Sequence, residues 1–431
     1  MSRSFYIKTM GCQMNEYDSD CLARSLITKG CIPVNDPAIA DIILINTCAV
    51  RAKPEQKAVS FLGRMAAFKN KRPDLILGIV GCIAQQEGSR LIKRFPMLDL
   101  VMGPRQLEKF PEFLEKIIYD GKKIVATDLN SLPASPIHCK GYFRDKVSAF
   151  ISVTEGCNNF CSYCIVPYVR GREVSRPPAD IIAEASNLIA DGVKEITLLG
   201  QNVISYHWND CNFVSLLNEI AGLDGLLRIR FTTSHPKHLS KDVIQCFASI
   251  DKLCSHIHLP FQAGSDAILK SMRRGYSRDQ YIILSEKLRE ADHDIAITSD
   301  VMVGFPGESE ADFEQTLDLI RKVRFDNLFS FKYSDRKGTL AAKMQNKVSE
   351  SLKIHRLEVL QKIQRQITLE KNQDLIGRHV QVLVEGQSKK GGQLTGRTST
   401  NKIVNFISNN KKIGELVNVL IDSCTSNSLS G

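Results

Sequence analysis

The sequence predicts an α/β protein of three modules: an N-terminal open parallel α/β sheet, a central partial (β/α)6 barrel of TIM-like type, and a small C-terminal β-barrel. Three observations predict it. Short apolar or β-branched runs alternate with helical patterns from Phe5 to about Lys332, which implies parallel strands joined by helical crossovers. A Pro-, Ser- and Gly-bearing stretch, Ser131–Arg144, interrupts that alternation once and reads as a linker. Beyond one long charged helix the pattern changes to short strands with Gly-rich turns. The modules are placed at 1–136, 145–372 (barrel with connecting helix) and 373–423.

The bounds set by composition agree. Of 431 residues, 43% are hydrophobic and 24% charged, which is the usage of a globular protein rather than of a disordered or membrane chain. No apolar run approaches the ~20 residues of a membrane span, and no signal-peptide core follows Met1–Ser4, so a cytoplasmic protein is expected. Thirteen cysteines are too scattered for a disulfide scaffold, which in a reducing compartment points to metal or redox chemistry. The net charge is +10, and +9 of it falls between Arg336 and Gly431. Clustered Lys and Arg are the footprint of polyanion binding, with a solvated basic surface as the plainer alternative.

In the first module the expected strands are Phe5–Lys8, Ile42–Asn46 and Leu75–Val80, with helices at Asn15–Lys29 and Pro54–Phe68. Cys12, Cys48 and Cys82 each sit just past a strand. Parallel strands bring all three to one sheet edge, the edge where open α/β sheets bind ligands. Cysteines 36 and 34 residues apart in sequence are thereby expected to meet.

In the second module the apolar run Phe150–Val153 leads into Glu155-Gly156 and then Cys157, Cys161 and Cys164, a C-x3-C-x2-C spacing. Three close thiolates select zinc or an iron–sulfur cluster, and no fourth ligand lies nearby to close a structural zinc site. Three ligands on a four-iron cluster leave one iron open for chemistry. Further strands are expected at Glu195–Leu199, Leu227–Thr232, Ser255–Leu259, Asp294–Ser299 and Asn327–Lys332, and barrel chemistry sits at the C-terminal ends of strands. Polar groups fall there: Gln201 and Asn202, Ser234, Gln262 and Asp300. A helix over Asn346–Asn372 follows. The last module is read as strands at Val380–Val384, Leu394–Thr398, Lys402–Phe406 and Glu415–Ile421, with a turn at 390–392 and a loose tail from Asp422.

The cysteine triplet at the first strand of a partial barrel resembles the radical S-adenosylmethionine (SAM) superfamily. Cys12, Cys48 and Cys82 in a preceding α/β domain, with a basic β-barrel behind, resemble its methylthiotransferase branch. Further runs carry the likeness: YCIVPYVRGREVSRP (163–177), GQNVISY (200–206), TTSHPK (232–237), HLPFQAGSD (258–266), SDVMVGFPGES (299–309) and GRTSTNK (396–402). It covers nearly the whole chain, and Gln201-Asn202 with the SHP run is most similar to the members that methylthiolate isopentenylated adenosine at tRNA position 37. Arg336-Lys337 departs from the Arg-Pro pair common in the family.

The resemblance implies two [4Fe-4S] clusters, one on Cys157, Cys161 and Cys164 that chelates SAM and one on Cys12, Cys48 and Cys82 that carries the sulfur. Two SAM molecules are used per product, a 5′-deoxyadenosyl radical removes the C2 hydrogen of the adenine, and both trios must face one pocket. The C-terminal barrel is then a TRAM-type, OB-like RNA-binding module, with Arg397 and Lys402 as RNA contacts. The implied partners are tRNA carrying isopentenyladenosine near the anticodon and a flavodoxin or ferredoxin as electron donor, with the enzyme a monomer. Tyr163 resembles the aromatic that lies along the SAM adenine. Gln201, Asn202, Ser234 and Gln262 either contact SAM or substrate or cap helices, and Asp300 either caps the next helix or holds the SAM ribose. Arg170, Arg172 and Arg176 either grip phosphates or pair with carboxylates. Three alternatives stay open: a methylthiotransferase for threonylcarbamoyl-adenosine, one for a ribosomal-protein aspartate, and a non-catalytic iron–sulfur RNA-binding protein.

Overall fold

The computed structural model describes residues 2–49, 52–131, 133–388, 391–408 and 413–431, apart from the side chains of 52–56. In the N-terminal module β1 (Ser4–Met10), β2 (Ile32–Pro33), β3 (Ile42–Thr47), β4 (Ile76–Gly81), β5 (Leu100–Met102) and β6 (Ile124–Ala126) form one parallel sheet in the order β2-β1-β3-β4-β5-β6. Strands β3 and β4 are buried along their whole length, as parallel strands covered on both faces must be. Alternate side chains serve two cores. Ile43, Ile45, Leu77 and Ile79 meet helix α2 (Ala52–Lys71) through Phe61 and Leu62; Ile42, Leu44, Ile76 and Val80 share a core with Leu22 and Leu26 of α1 (Gln13–Thr28). Helices α3 (Cys82–Glu87), α4 (Ser89–Arg94) and α5 (Phe110–Asp120) complete the layers.

The connector runs over the surface without helix or strand, yet it is packed. Phe143 is buried, and the Tyr142 hydroxyl donates to Asp20 of α1 at 2.8 Å. The central module then sets six parallel strands in sequence order: β7 (Ser148–Ser152), β10 (Glu195–Leu199) and β13 (Arg228–Phe231) in one run, β14 (His256–His258), β15 (Ala296–Val303) and β16 (Asn327–Lys332) in the next. A bridge between Ile229 and Leu253 joins the runs into the partial barrel. Short strands β8 (Thr154–Glu155) and β9 (Val174–Ser175) fold the cysteine loop back on itself around α6 (Val166–Val169), and β11 (His207–Trp208) and β12 (Cys211–Asn212) make a hairpin. Helices α7 (Pro178–Ala190), α8 (Phe213–Ala221), α9 (Lys241–Ser249), α10 (Asp266–Ser271), α11 (Arg278–Ala291) and α12 (Glu310–Val323) surround the strands.

Element boundaries shift by a few residues from expectation, and two of the shifts have a definite cause. Strand β15 continues through Val303 because Asp300, Val301 and Met302 pair with Phe329, Ser330 and Phe331, so Asp300 lies inside a strand rather than beyond its end. Helix α13 (Glu350–Gln373) starts four residues later than its apolar stripe suggests, since the Ser349 hydroxyl caps it by accepting from the Leu352 N–H.

The C-terminal module is a curled six-stranded sheet: β17 (His379–Gln387), β18 (Leu394–Thr398), β19 (Ile403–Phe406), β20 (Leu416–Leu420), β21 (Ser423–Cys424) and β22 (Leu429–Ser430), ordered β20-β17-β18-β19-β22-β21. The loose tail expected after Asp422 is corrected: β22 pairs with β19, and Leu429 is fully buried in the small core around Val382, Val384 and Val404. Lys390 of the expected turn lies outside the described residues. The module docks beneath the barrel, where Arg228 and Arg230 donate to the carbonyls of Arg397 and Thr398 and the Ser255 N–H donates to Ser399 Oγ. These barrel residues stand at the N-terminal ends of β13 and β14, opposite the cysteine loop. Among the described residues no helix is long and apolar enough to cross a membrane.

Candidate active site

Local chemistry places the N-terminal cysteines. Cys12 is the N-cap of α1, where Asn15 reaches back to its N–H, and the Asn15 amide donates to Asn46 Oδ1 at 2.9 Å and to the Thr47 carbonyl at 3.2 Å. Cys48 follows β3 directly, and its N–H donates to the Met10 carbonyl. Cys82 opens α3 after Gly81, whose φ is +90 and whose Cβ, were it present, would lie 2.6 Å from the Thr47 carbonyl oxygen. Only glycine fits there. The Cys12 thiol interacts with both Cys48 and Cys82. A hydrogen bond with Cys48 brings the Cys12 thiol down to about 6, with the charge of Arg170 helping. Burial pushes Cys82 up, while the charge of Arg170 opposes that shift.

The second trio sits on the loop after β7. Gly156 has φ +85, its N–H donates to Gln201 Oε1, and a Cβ would fall 2.1 Å from the Arg172 carbonyl oxygen. The Asn159 amide donates to Cys157 Sγ at 3.4 Å, and its oxygen meets His238 Nε2 at 3.1 Å. Arg274, buried at 4% exposure, donates to Cys161 Sγ and to the Tyr163 hydroxyl, both at 3.5 Å. Its other guanidinium nitrogens donate to the Pro260 carbonyl at 2.7 Å and the Tyr276 hydroxyl at 3.1 Å. Burial raises Cys157 and lifts Cys164 to about 12, so these thiols ionise only when something cationic replaces the lost water. Among the described residues no three His, Cys, Asp or Glu side chains converge as a single bound ion would require.

Arg170 connects the two trios. It lies six residues past Cys164, lowers Cys12 and Cys82 through its charge, and pairs with Asp18 of α1 at 2.6 Å and Glu155 of β8 at 3.2 Å. Arg105 joins from the first module, donating to the Glu155, Arg170 and Arg172 carbonyls. A second buried group, Arg24 and Tyr17 with Arg176 and Glu184, ties α1 to the barrel. Arg170 and Arg176 are therefore paired with carboxylates rather than free for phosphates, whereas Arg172 is exposed over the Phe160 ring.

At the strand ends, Asn202 Oδ1 accepts from the His235 N–H at 3.1 Å, while its Nδ2 has no partner. Ser234 Oγ, Thr154 Oγ1 and His235 Nε2 are likewise buried and unpartnered. Four such groups around one barrel mouth suit a polar ligand, because leaving each unmet costs about 1–3 kcal/mol. Burial, with the Arg274 charge adding, holds His235 down to about 2; since its Nδ1 accepts from the Lys237 N–H, the proton of the neutral ring falls to Nε2. Gln262 is buried with φ +66, bridged to Val301. Asp300 faces His258 Nε2 at 3.6 Å and caps no helix; the cap of α12 is Ser309. Tyr163 packs against the small core that includes Ala263, Met272 and Phe305. The candidate RNA contacts differ from each other. Arg397 is partly exposed and pairs with Glu385 at 3.1 Å, whereas Lys402 is turned inward to Asn372 Oδ1 at 2.8 Å and Asp326 at 3.4 Å. Sequence reasoning missed Arg274 and Thr154, which belong to no spacing pattern, and placed His235 only within the TTSHPK run.

Comparison with known proteins fits this geometry. The sequence profile described as Uncharacterized protein family UPF0004 matches residues 4–103, the Radical SAM superfamily profile 151–320, and the TRAM domain profile 373–431. The tRNA-2-methylthio-N(6)-dimethylallyladenosine synthase of Syntrophus aciditrophicus is 51% identical over 439 residues, covering 100% of this chain and 94% of that protein. The protein of the same name from Geobacter metallireducens is 49% identical, covering 99% of this chain and 97% of its own. The chain belongs to this methylthiotransferase family. As a radical SAM methylthiotransferase it shares a fold with TsrM of Kitasatospora setae, a radical SAM methyltransferase solved with cobalamin and a [4Fe-4S] cluster. That likeness has a TM-score of 0.59 at 16% identity, over 79% of this chain and 74% of TsrM. The methylthiotransferase family and its radical SAM profile carry SAM and a [4Fe-4S] cluster as cofactors, and the thiol trio on 157–164 has the donor set such a cluster needs.

Proposed function

We propose that this chain places a methylthio group on C2 of N6-isopentenyladenosine at position 37 of tRNA, using two [4Fe-4S] clusters and two SAM molecules per product. One cluster would be held by Cys157, Cys161 and Cys164, the other by Cys12, Cys48 and Cys82. The observation that carries this reading is Arg170, whose charge acts on Cys12 and Cys82 of one trio while it is anchored to Glu155 beside the other. Two thiol trios meeting at one interface suit an enzyme that makes a radical on one side of its substrate and supplies sulfur from the other.

When bound, the clusters and SAM supply reductive bond cleavage, hydrogen removal from C2 and the transferred sulfur. The chain contributes the rest. Thr154, Asn202, Ser234 and the His235 Nε2–H offer hydrogen bonds at the mouth, Tyr163 offers a ring, and Gln201 shapes the loop through Gly156. Gln262 bridges to Val301, next to Asp300 within β15. Burial keeps His235 neutral, so it donates without adding charge beside Arg274. The curled C-terminal sheet would meet the RNA backbone, with Arg397 as a contact. A flavodoxin or ferredoxin would supply electrons, and the enzyme would work as a monomer in the cytoplasm.

The test is anaerobic reconstitution with SAM, a reductant and isopentenylated tRNA, followed by nucleoside mass spectrometry; absence of the 2-methylthio product refutes the reading. Iron analysis is a second check. About eight irons per chain are expected, with Cys157→Ala and Cys12→Ala each removing about four.

A further inference from the structure

The loop that carries Cys157, Cys161 and Cys164 has two flanks. Ile165 and Val169, just past Cys164, are part of the core of the N-terminal module, so that flank faces the other cysteine trio. Ser162, between Cys161 and Cys164, is held from the other flank. Its N–H donates to the Met272 carbonyl at 3.1 Å, its hydroxyl to the Ser271 carbonyl at 2.8 Å, and its own carbonyl accepts from the Ala341 N–H at 2.8 Å. Met272 and Ala341 share one small core packed against Tyr163. The segments 266–273 and 336–344 thus form the outer cover of the loop.

That cover is cationic around an apolar centre. Lys270, Arg273, Lys337 and Lys343 are exposed, and none of their side chains has an ion-pair or hydrogen-bond partner among the described residues; Leu340 is 39% exposed among them. Residues 336–347 contain four Lys or Arg and no Asp or Glu. The neighbouring acids are already engaged: Asp335 with Lys347 and the Tyr333 hydroxyl, Asp266 with the Arg278 N–H. Arg273 has φ +58 just after α10, a conformation glycine would adopt without strain, and the next residue, Arg274, donates to Cys161 Sγ. The backbone turn is the ordinary close of α10, with the Arg273 N–H on the Lys270 carbonyl and the Arg274 N–H on that of Leu269, and it leaves the Arg273 cation exposed one residue from a donor to a thiol ligand.

We propose that this outer flank is the docking surface for an acidic one-electron carrier of the flavin or iron–sulfur type. The inference rests on the reading of Cys157, Cys161 and Cys164 as ligands of a redox cluster. One electron leaves the carrier, a flavin hydroquinone anion becoming the neutral semiquinone, and the cluster gains that electron; no atom is transferred. The cations steer and orient an acidic partner, Leu340 gives it an apolar footing, and the Ser162 backbone and Arg274 link the surface to the ligands. RNA fits this flank less well. The target base must lie between the two trios, on the other flank, and the exposed ring of the loop, Phe160, is stacked with Arg172 on that side.

The test uses the reconstituted holoenzyme. In Arg273→Glu/Lys343→Glu the rate of cluster reduction by flavodoxin hydroquinone, read as bleaching of the cluster absorbance, should fall at least about tenfold at low salt, and the deficit should shrink as salt rises. Reduction by a small neutral photoreductant (5-deazaflavin) and tRNA affinity should be unchanged, and the same charge change made elsewhere, Lys322→Glu/Lys362→Glu, should leave the flavodoxin rate intact. If the first variant loses iron, Lys270→Glu is read in the same assay. An unaltered flavodoxin rate overturns the proposal, as does a fall in tRNA affinity without a fall in that rate. A wild-type protein with no four-iron spectrum would overturn the cluster reading along with it, whereas an intact cluster that reduces at the wild-type rate in the variants overturns the docking surface alone.

Discussion

Arg170 donates to Asp18 across a 2.6 Å contact that joins the loop after Cys164 to the first helix of the N-terminal module. Both side chains are about 95% or more buried. Burial pushes the Asp18 carboxyl up, and Arg170 pulls against that shift. Removing one partner strands a charge in the interface, which typically costs about 3–5 kcal/mol. Arg170→Gln is therefore expected to lower the melting midpoint and speed proteolysis within Ser131–Arg144 in the metal-free protein. Asp18→Asn should do so less, since Glu155 still pairs with Arg170. Equal resistance in Arg170→Gln and wild type would show that the modules are held together by other contacts.

Arg274 places a cation on Cys161 Sγ in a dry setting. A hydrogen bond and a positive charge at a cluster sulfur favour the reduced, more negative state. Arg274→Met should lower the midpoint potential of that cluster by about one decade in equilibrium constant, ~59 mV for one electron. Arg274→Lys, which keeps the charge, should recover most of the difference. Redox titration followed by electron paramagnetic resonance measures it, with iron content as the control for an intact site.

Much of this was legible in the sequence because it depends on spacing. Cys12, Cys48 and Cys82 stand at strand ends, and strand ends follow from apolar runs; parallel pairing then brings them together whatever the side-chain details. The three-module division is likewise a change of period. Contacts set by tertiary approach were not legible. Nothing local marks Arg274 as the partner of Cys161, 113 residues away, or Lys402 as the partner of Asp326. Asp300 was displaced because β15 runs on to pair with Phe329–Phe331, and the tail from Asp422 was misread because pairing with β19, not local propensity, makes β22 a strand.

Ser234 Oγ is buried without a partner among the described residues, so its removal breaks no hydrogen bond among them. Ser234→Ala should leave the unfolding free energy of the SAM-free protein within about 0.5 kcal/mol of wild type. SAM binding should weaken by about 0.5–1.5 kcal/mol, a few-fold to roughly tenfold in Kd, if the hydroxyl meets SAM. Isothermal calorimetry on the reconstituted protein reads the affinity, and an unchanged Kd would remove Ser234 from the SAM site.

His256 gives the fold a pH dependence. Burial first, then the charges of Arg230, His258 and Arg397, hold its imidazole well below the usual 6.5. The folded ring stays neutral where the unfolded chain takes up a proton. Its contribution to stability is thus complete above about pH 6.5 and declines as the pH falls, by up to ~1.4 kcal/mol per unit. The His256 ring resonances should not titrate between pH 7.5 and 5, and His256→Asn should flatten the acid-side fall of the melting midpoint. A ring that titrates near 6.5 contradicts this.

Lys402 and Arg397 separate docking of the C-terminal module from RNA binding. Lys402 is 14% exposed and committed to Asp326 and Asn372, while Arg397 is 37% exposed and shares its guanidinium only with Glu385 and Asn401 on its own module. A phosphate reaches Arg397 by exchanging one surface carboxylate, whereas Lys402 must first leave a buried pair. Lys402→Met is therefore expected to loosen the module, seen as faster cleavage near Gln373, with the salt dependence of tRNA binding unchanged. Arg397→Gln should keep the module docked and reduce the slope of log K against log salt by about 1. Filter binding across a salt series, paired with limited proteolysis, separates the two effects; a slope lost in Lys402→Met and kept in Arg397→Gln would reverse the roles.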